Sequence, residues 1–146
     1  MEVIVTSSRD RLLQAAVEAK TFAHVPYSKF RVGAALLTQD GEIIRGANIE
    51  NASYGGTICA ERTAIVKAVS EGKVKFAALA VTTDVASPIA PCGMCRQVIR
   101  EFCPLNMPIL LAASDYSKRD DGVKECTLEQ LLPHSFGPED LERDRA

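Results

Sequence analysis

Cys59, Cys92 and Cys95, together with Glu61, are the residues whose types and spacing can do chemistry in concert. The first lies in Cys59-Ala60-Glu61, the other two in Pro91-Cys92-Gly93-Met94-Cys95. Three thiolates can hold one zinc ion and leave a fourth position open. Structural zinc sites are closed by four protein ligands, whereas catalytic ones keep three plus a water or substrate. A carboxylate two residues after the first thiolate can exchange protons with whatever fills the open position. Cys92 and Cys95 lie three apart, so on a helical turn both sulfurs can face one point.

Taken alone, a CxxC pair also fits a redox couple, half of a structural zinc site, or two small buried side chains. Adding C-A-E at the start of a second helix narrows the reading to catalytic zinc. A closed structural site needs another ligand. Cys103, Cys126, His24 and His134 are the candidates, and none has motif spacing to the others. Three thiolates overbalance a divalent ion by one negative charge, which weakens it as a Lewis acid. Arg62, three residues after Cys59 on the same helix, can donate to ligand sulfurs and offset that charge.

The surrounding elements must bring these segments together. Ser7 or Ser8 can cap a first helix running to about Phe22, with Leu12, Leu13, Ala16, Val17, Ala19 and Ala23 on its apolar side. Phe30 to Thr38 reads as a strand, Gln39-Asp40-Gly41 as a turn, and Glu42 to Ile49 as the antiparallel partner. Asn51 to Thr57 is a small, polar loop. A second helix runs from near Ile58 to Gly72, with Glu61, Ile65, Ala68 and Val69 on one face and the glycine as its stop. Ala77 to Thr83 is a strand covered on both sides. A third helix starts about Cys92 and stops before Pro104. Pro108 to Ser114 is another buried strand. Asp121-Gly122 turns into a short strand, Val123 to Thr127. Thr127 with Gln130 forms a capping box for a last short helix, ended by Pro133. The charged tail after Leu141 is expected to fray.

This order gives an α/β fold: a three-layer α/β/α sandwich around a mixed five-stranded sheet. Both cysteine segments open helices, where free N–H groups and the helix dipole stabilise thiolates. With 146 residues, the chain 1–146 is expected to form a single domain. Its net charge of -2, without a basic run, argues against a duplex-binding surface. The segment MEVIVTSSRD does not read as a secretory signal, and no apolar run approaches the about 18 residues of a membrane span. An odd cysteine count without an export signal fits a reduced, cytoplasmic setting and metal ligation better than a disulfide framework.

C-A-E with P-C-x-x-C resembles the zinc-dependent cytidine deaminases of the short three-cysteine type, whose zinc and glutamate roles are those of zinc deaminases generally. The similarity runs from about Leu12 to Leu141 and includes FRVGAALL, GANIENASY, CAERTAI, PCGMCRQV and EQLLPHSFGPEDL. The resemblance implies hydrolysis of cytidine and 2′-deoxycytidine to the uridines with release of ammonia, in pyrimidine salvage. It implies one zinc per protomer on Cys59, Cys92 and Cys95, with Glu61 shuttling protons for a zinc-activated water. Asn48 and Glu50 match a ribose clamp. Phe30 and Tyr54 match pocket-lining positions, and the backbones of Ala52 and Ala60 match contacts to the pyrimidine edge. Arg62 and Gln97 are placed around the ligands. Phe136 is similar to an aromatic that stacks on the base in a neighbouring subunit; alternatively it packs in its own core. A homotetramer with shared active sites is implied.

Other readings share part of this pattern. A deaminase of another cytosine-bearing small molecule, such as a blasticidin-S-type drug, would carry CAE and PCxxC too. A nucleotide deaminase would want cationic contacts for phosphate, for which Lys29 and Arg31 are available. A zinc-stabilised binding domain would need a fourth ligand, and a thiol redox protein would cycle a Cys92–Cys95 disulfide.

Overall fold

Strict alternation along three strands sorts the core into two layers. The computed structural model describes residues 6–145. It contains helix α1 (Thr6–Lys20), strands β1 (Val32–Thr38) and β2 (Ile43–Ala47), helix α2 (Ala60–Ser70) and strand β3 (Phe76–Thr83). Helix α3 (Gly93–Phe102), strands β4 (Pro108–Ala112) and β5 (Val123–Thr127), and the one-turn helices α4 (Leu128–Leu131) and α5 (Pro138–Leu141) follow. Leu36, Leu79, Val81, Ile109 and Leu111 face one way and pack with Ala64, Ile65 and Ala68 of α2 and Ile99 of α3. Their strand neighbours Ala35, Ala78, Ala80 and Ala112 face the other way, against Leu12, Leu13 and Ala16 of α1. Period-two alternation in strands facing apolar stripes on helices produces this three-layer sandwich.

The sheet is mixed and five-stranded, in the order β2-β1-β3-β4-β5. Only β3 and β4 are parallel, in the register Val81↔Leu111; the other neighbours are antiparallel. α3 supplies the crossover that a parallel pair requires. Because β1 runs antiparallel to β3, the start of β1 meets the end of β3 at Val32↔Thr83. The loop leaving β3 leads to Cys92 at the mouth of α3, so this corner of the sheet becomes the floor of a site.

Element ends differ from the sequence reading where hydrogen bonds, not propensity, decide them. Ser7 and Ser8 lie inside α1, which already includes Thr6, so neither is its cap; of the segment read for a signal, the part that precedes Thr6 lies outside the described residues. α1 ends at Lys20, and Thr21, Phe22 and Ala23 follow in a tightened turn with N–H groups donating three residues back. α2 starts one residue after Cys59, and its end is a Schellman closure: Gly72 N–H donates to Val69 and Lys73 N–H to Ala68, with Gly72 at φ 85°. The Thr127–Gln130 capping box is present in both directions. α5 was not read from the sequence, since four residues carry no measurable period. Among the described residues no helix is long and apolar enough to cross a membrane.

Gly46 lets the site-bearing helix approach the sheet. A Cβ at this position would lie 2.4 Å from the Ala60 carbonyl oxygen and 2.5 Å from the Ala64 nitrogen. β2 therefore touches the first turn of α2 backbone to backbone. Gly46→Ala is expected to destabilise the protein by about 1–3 kcal/mol, because the clash is with backbone that cannot rotate away. Urea unfolding of the two proteins checks this; an unchanged midpoint would mean that α2 does not need the contact.

Candidate active site

The first turns of α2 and α3 converge. Cys59 is the N-cap residue of α2 and Cys92 that of α3, and Cys95 sits one turn into α3. All three sulfurs lie within 4.8 Å of one another. Cys59 and Cys92 Sγ are 3.9 Å apart, and Cys92 and Cys95 Sγ 3.5 Å. Zinc bonded tetrahedrally to sulfur at about 2.3 Å sets neighbouring sulfurs about 3.8 Å apart, so the cluster has the size for one zinc ion. Among the described residues no further histidine, cysteine or acid joins the cluster. Cys103 and Cys126 are buried in the hydrophobic core, and His24 and His134 are exposed elsewhere. Three ligands and an open side favour a catalytic over a closed structural site.

Charge around the cluster follows from its surroundings. The neighbouring Cys95 thiol, then the Arg62 guanidinium, hold the Cys59 thiol well below its ordinary value. The proximity of Cys59, with burial, pushes Cys95 above the ordinary thiol value. Arg62 donates from its guanidinium to Cys59 Sγ at 3.2 Å, the contact its spacing anticipates. That contact raises the Arg62 pKa, while its Nε is buried with no partner among the described residues. A fixed cation beside the sulfurs offsets the excess charge of three thiolates.

Glu61 is buried, with its Oε2 3.7 Å from Cys95 Sγ. Its carboxyl is raised above the usual range, chiefly by burial and also by the Cys59 charge; a backbone hydrogen bond, Cys95 and Arg62 oppose the rise. It lines a cavity of about 170 Å³ with Cys59, Cys92, Phe30, Asn48 and Thr83. The Asn48 amide is fixed from both ends: its Oδ1 accepts from Val32 N–H at 2.9 Å, and its Nδ2 donates to the Phe30 carbonyl at 2.8 Å. Phe30 is partly exposed at the cavity edge, and Ala60 is fully buried.

Other expected site residues stand apart from this cavity. Glu50 is held by the turn that precedes Phe30, whose carbonyl Asn48 contacts. It accepts from the backbone N–H groups of Tyr27 and Ser28 at 3.0 and 3.1 Å, and from the Ser28 hydroxyl. It lines an adjacent depression with Tyr27, Tyr54 and Thr57. The strand ends at Ala47, and Ile49 beyond it bridges to His24 and Ile58. Tyr54 is 74% exposed and packs edge-on against Tyr27. Ala52 is exposed in the same loop. Gln97 does not touch the sulfur cluster; its side chain donates to the Phe136 carbonyl at 2.9 Å. Phe136 is 57% exposed, which removes the own-core alternative for it. Sequence reasoning missed Arg96, which donates to the carbonyl of Pro91, the residue before Cys92, at 2.7 Å.

Two helix N-termini that deliver three sulfurs and a buried carboxylate to one pocket beside a mixed sheet define a zinc-dependent enzyme of the deaminase class. The family of the cytidine and deoxycytidylate deaminase zinc-binding region matches residues 6–111, and the chain belongs to it. A cytidine deaminase of Halalkalibacterium halodurans is 50% identical over 133 residues, spanning 91% of this chain and 97% of that protein. The crystal structure of cytidine deaminase from Burkholderia pseudomallei superposes with a TM-score of 0.80 at 43% identity, covering 87% of this chain and 98% of that one. The crystal structure of the Mycobacterium tuberculosis cytidine deaminase does so with a TM-score of 0.75 at 36% identity, covering 92% and 99%.

Proposed function

We propose that this protein hydrolytically deaminates cytidine and 2′-deoxycytidine to uridine and 2′-deoxyuridine, releasing ammonia, as a step of pyrimidine salvage in the cytoplasm. The observation that carries this reading is a buried glutamate wedged between a three-sulfur cluster and a small cavity. Similarity to proteins named cytidine deaminase gives the substrate class. Residues 1–146 act as one catalytic domain.

Cys59, Cys92 and Cys95 hold one zinc per protomer. Zinc, when bound, makes a neighbouring water more acidic. Glu61 accepts a proton from that water and passes it to N3 of the cytosine ring, which makes C4 electrophilic. The water oxygen adds at C4, and Glu61 carries the second proton to the departing amino group. Burial suits Glu61 to this work: by penalising the carboxylate it brings the protonated form within reach. Asn48, already fixed by the backbone, presents a preorganised amide to the ribose, and Phe30 forms a wall of the pocket. Glu50 joins the ribose contacts from its adjacent depression, while the backbones of Ala52 and Ala60 meet the pyrimidine edge. Arg62 balances the thiolate charge. Tyr54 lines the pocket, and Phe136, exposed in a single chain, completes a site across an interface of a homotetramer.

A free nucleoside fits better than a nucleotide. Arg31 donates from Nε and one terminal nitrogen to Asp84 at 2.9 Å, which commits one edge of its guanidinium and leaves it less available to a phosphate. Loss of ultraviolet absorbance with cytidine, measured on protein whose zinc is assayed in the same sample, tests the proposal. Turnover with about one zinc per chain is expected. Stoichiometric zinc without turnover of cytidine, deoxycytidine or their monophosphates would point to another cytosine-bearing small molecule. Carefully reduced protein without zinc would remove the proposal altogether.

A further inference from the structure

Helix α3 carries Cys95 near its start and holds the chain's C-terminal segment along its length. Four side-chain hydrogen bonds do so. Arg96 donates to the Leu131 carbonyl at 2.6 Å, in addition to its bond to Pro91. Gln97 donates to the Phe136 carbonyl. Arg100 donates from Nε to the Ser135 hydroxyl at 2.9 Å and from its terminal nitrogen to Glu139. Residues 132–137 belong to no strand or helix, and α5 beyond them is a single turn. These contacts therefore do the work that a ladder or a longer helix would do elsewhere.

Arg100 is the centre of this clamp. It is buried to 8% exposure, although it is an arginine on the last turn of a helix. A charge is buried at such a position only when it is well paired. The backbone of Gly137 passes directly over its guanidinium: a Cβ there would lie 2.4 Å from Arg100 Cζ. Phe136, immediately before that glycine, stays exposed while its carbonyl is pinned by Gln97. The segment is thus fixed through its backbone and its polar side chains, and the aromatic ring is left to face outward.

We infer that Arg100 is a positioning residue for substrate binding, holding the Phe136 turn against α3 so that the ring is presented in one orientation. This rests on the proposed role of Phe136 as a base-stacking residue in a neighbouring site. One helix then orders a thiolate of its own metal cluster and the aromatic wall offered to the next protomer. Planarity matters here: the Arg100 fork reaches Ser135 and Glu139 together, and a lysine cannot.

The test compares zinc-loaded Arg100→Lys, Phe136→Ala and the double variant with the parent, using cytidine. Base–aromatic contacts of this kind are expected to raise KM about tenfold in Phe136→Ala and by a similar factor in Arg100→Lys. kcat should stay within about twofold of the parent in Arg100→Lys, with zinc stoichiometry kept. The double variant should be no worse in KM than Phe136→Ala, because both changes remove the same contact. A merely structural arginine would lower the melting temperature and add its effect to that of Phe136→Ala. An unchanged KM in Arg100→Lys beside a raised one in Phe136→Ala overturns this inference and leaves the stacking role intact. An unchanged KM in Phe136→Ala overturns both. Should Arg100→Lys fail to fold, Glu139→Gln loosens the same clamp from its exposed end and should raise KM roughly twofold to fivefold; no rise there overturns the inference.

Discussion

Glu61→Gln is expected to keep its zinc and lose turnover by about 10²- to 10⁴-fold, the usual range for removing a positioned acid–base group. The substitution is nearly isosteric, so the buried space beside Cys95 stays filled. Cys59, Cys92 and Cys95, the three sulfurs proposed to hold the ion, are untouched. An amide, however, cannot accept a proton from water and release it to a ring nitrogen. Steady-state kcat for cytidine and metal content per chain, measured on one preparation, decide the matter. Turnover within tenfold of the parent would take the proton shuttle away from Glu61. Loss of zinc would place this carboxylate among the ligands.

Cys92→Ala is expected to take the protein from about one zinc per chain to less than about a tenth of that, with activity lost in proportion. Two sulfurs remain, and neither alone nor together do they enclose an ion. Cys92 is exposed and caps a helix, whereas Cys95 is fully buried. Removing the Cys92 sulfur leaves no cavity in the core, so the urea midpoint of the metal-free protein should not fall. A simple packing role would give the reverse pattern, with normal metal and lower stability. Normal zinc content would strike Cys92 from the ligand set.

Periodic features were legible in the sequence. Glu61, Ile65 and Ala68 recur on one face of α2, and the uninterrupted apolar run of β3 belongs to a strand buried on both sides. The metal cluster was legible because its chemistry demands rare residue types at short spacings on two helix starts. Arg62 could be found for the same reason, since its sulfur partner lies one helical turn away. What escaped depends on partners distant in the chain. Arg100 is a solvated helix arginine by every local criterion, and only the returning segment at Ser135 and Glu139 buries it. The two N–H groups and the hydroxyl that the turn at Tyr27 and Ser28 offers to the Glu50 carboxylate were likewise not legible in the local spacing. Gln97 follows a ligand by two residues but faces the C-terminal segment instead. Long polar side chains choose among donors and acceptors supplied by the fold, and a linear pattern does not list those competitors.

The five cysteines divide into two populations with different exposure to the cell's oxidants. Cys103 and Cys126 are sealed in the core, and burial pushes the Cys103 thiol up to about 12. The cysteines that reach solvent, Cys59 and Cys92, both belong to the sulfur cluster, and Cys59 is the one whose thiol is held low. Nucleophilic thiolates are what peroxides and electrophiles attack. An oxidant that attacks a solvent-reachable thiol of this protein therefore attacks the sulfur cluster. A disulfide between Cys59 and Cys92 would leave two fewer thiolates for a metal ion, so the redox state of this pair and the metal content of the protein are linked.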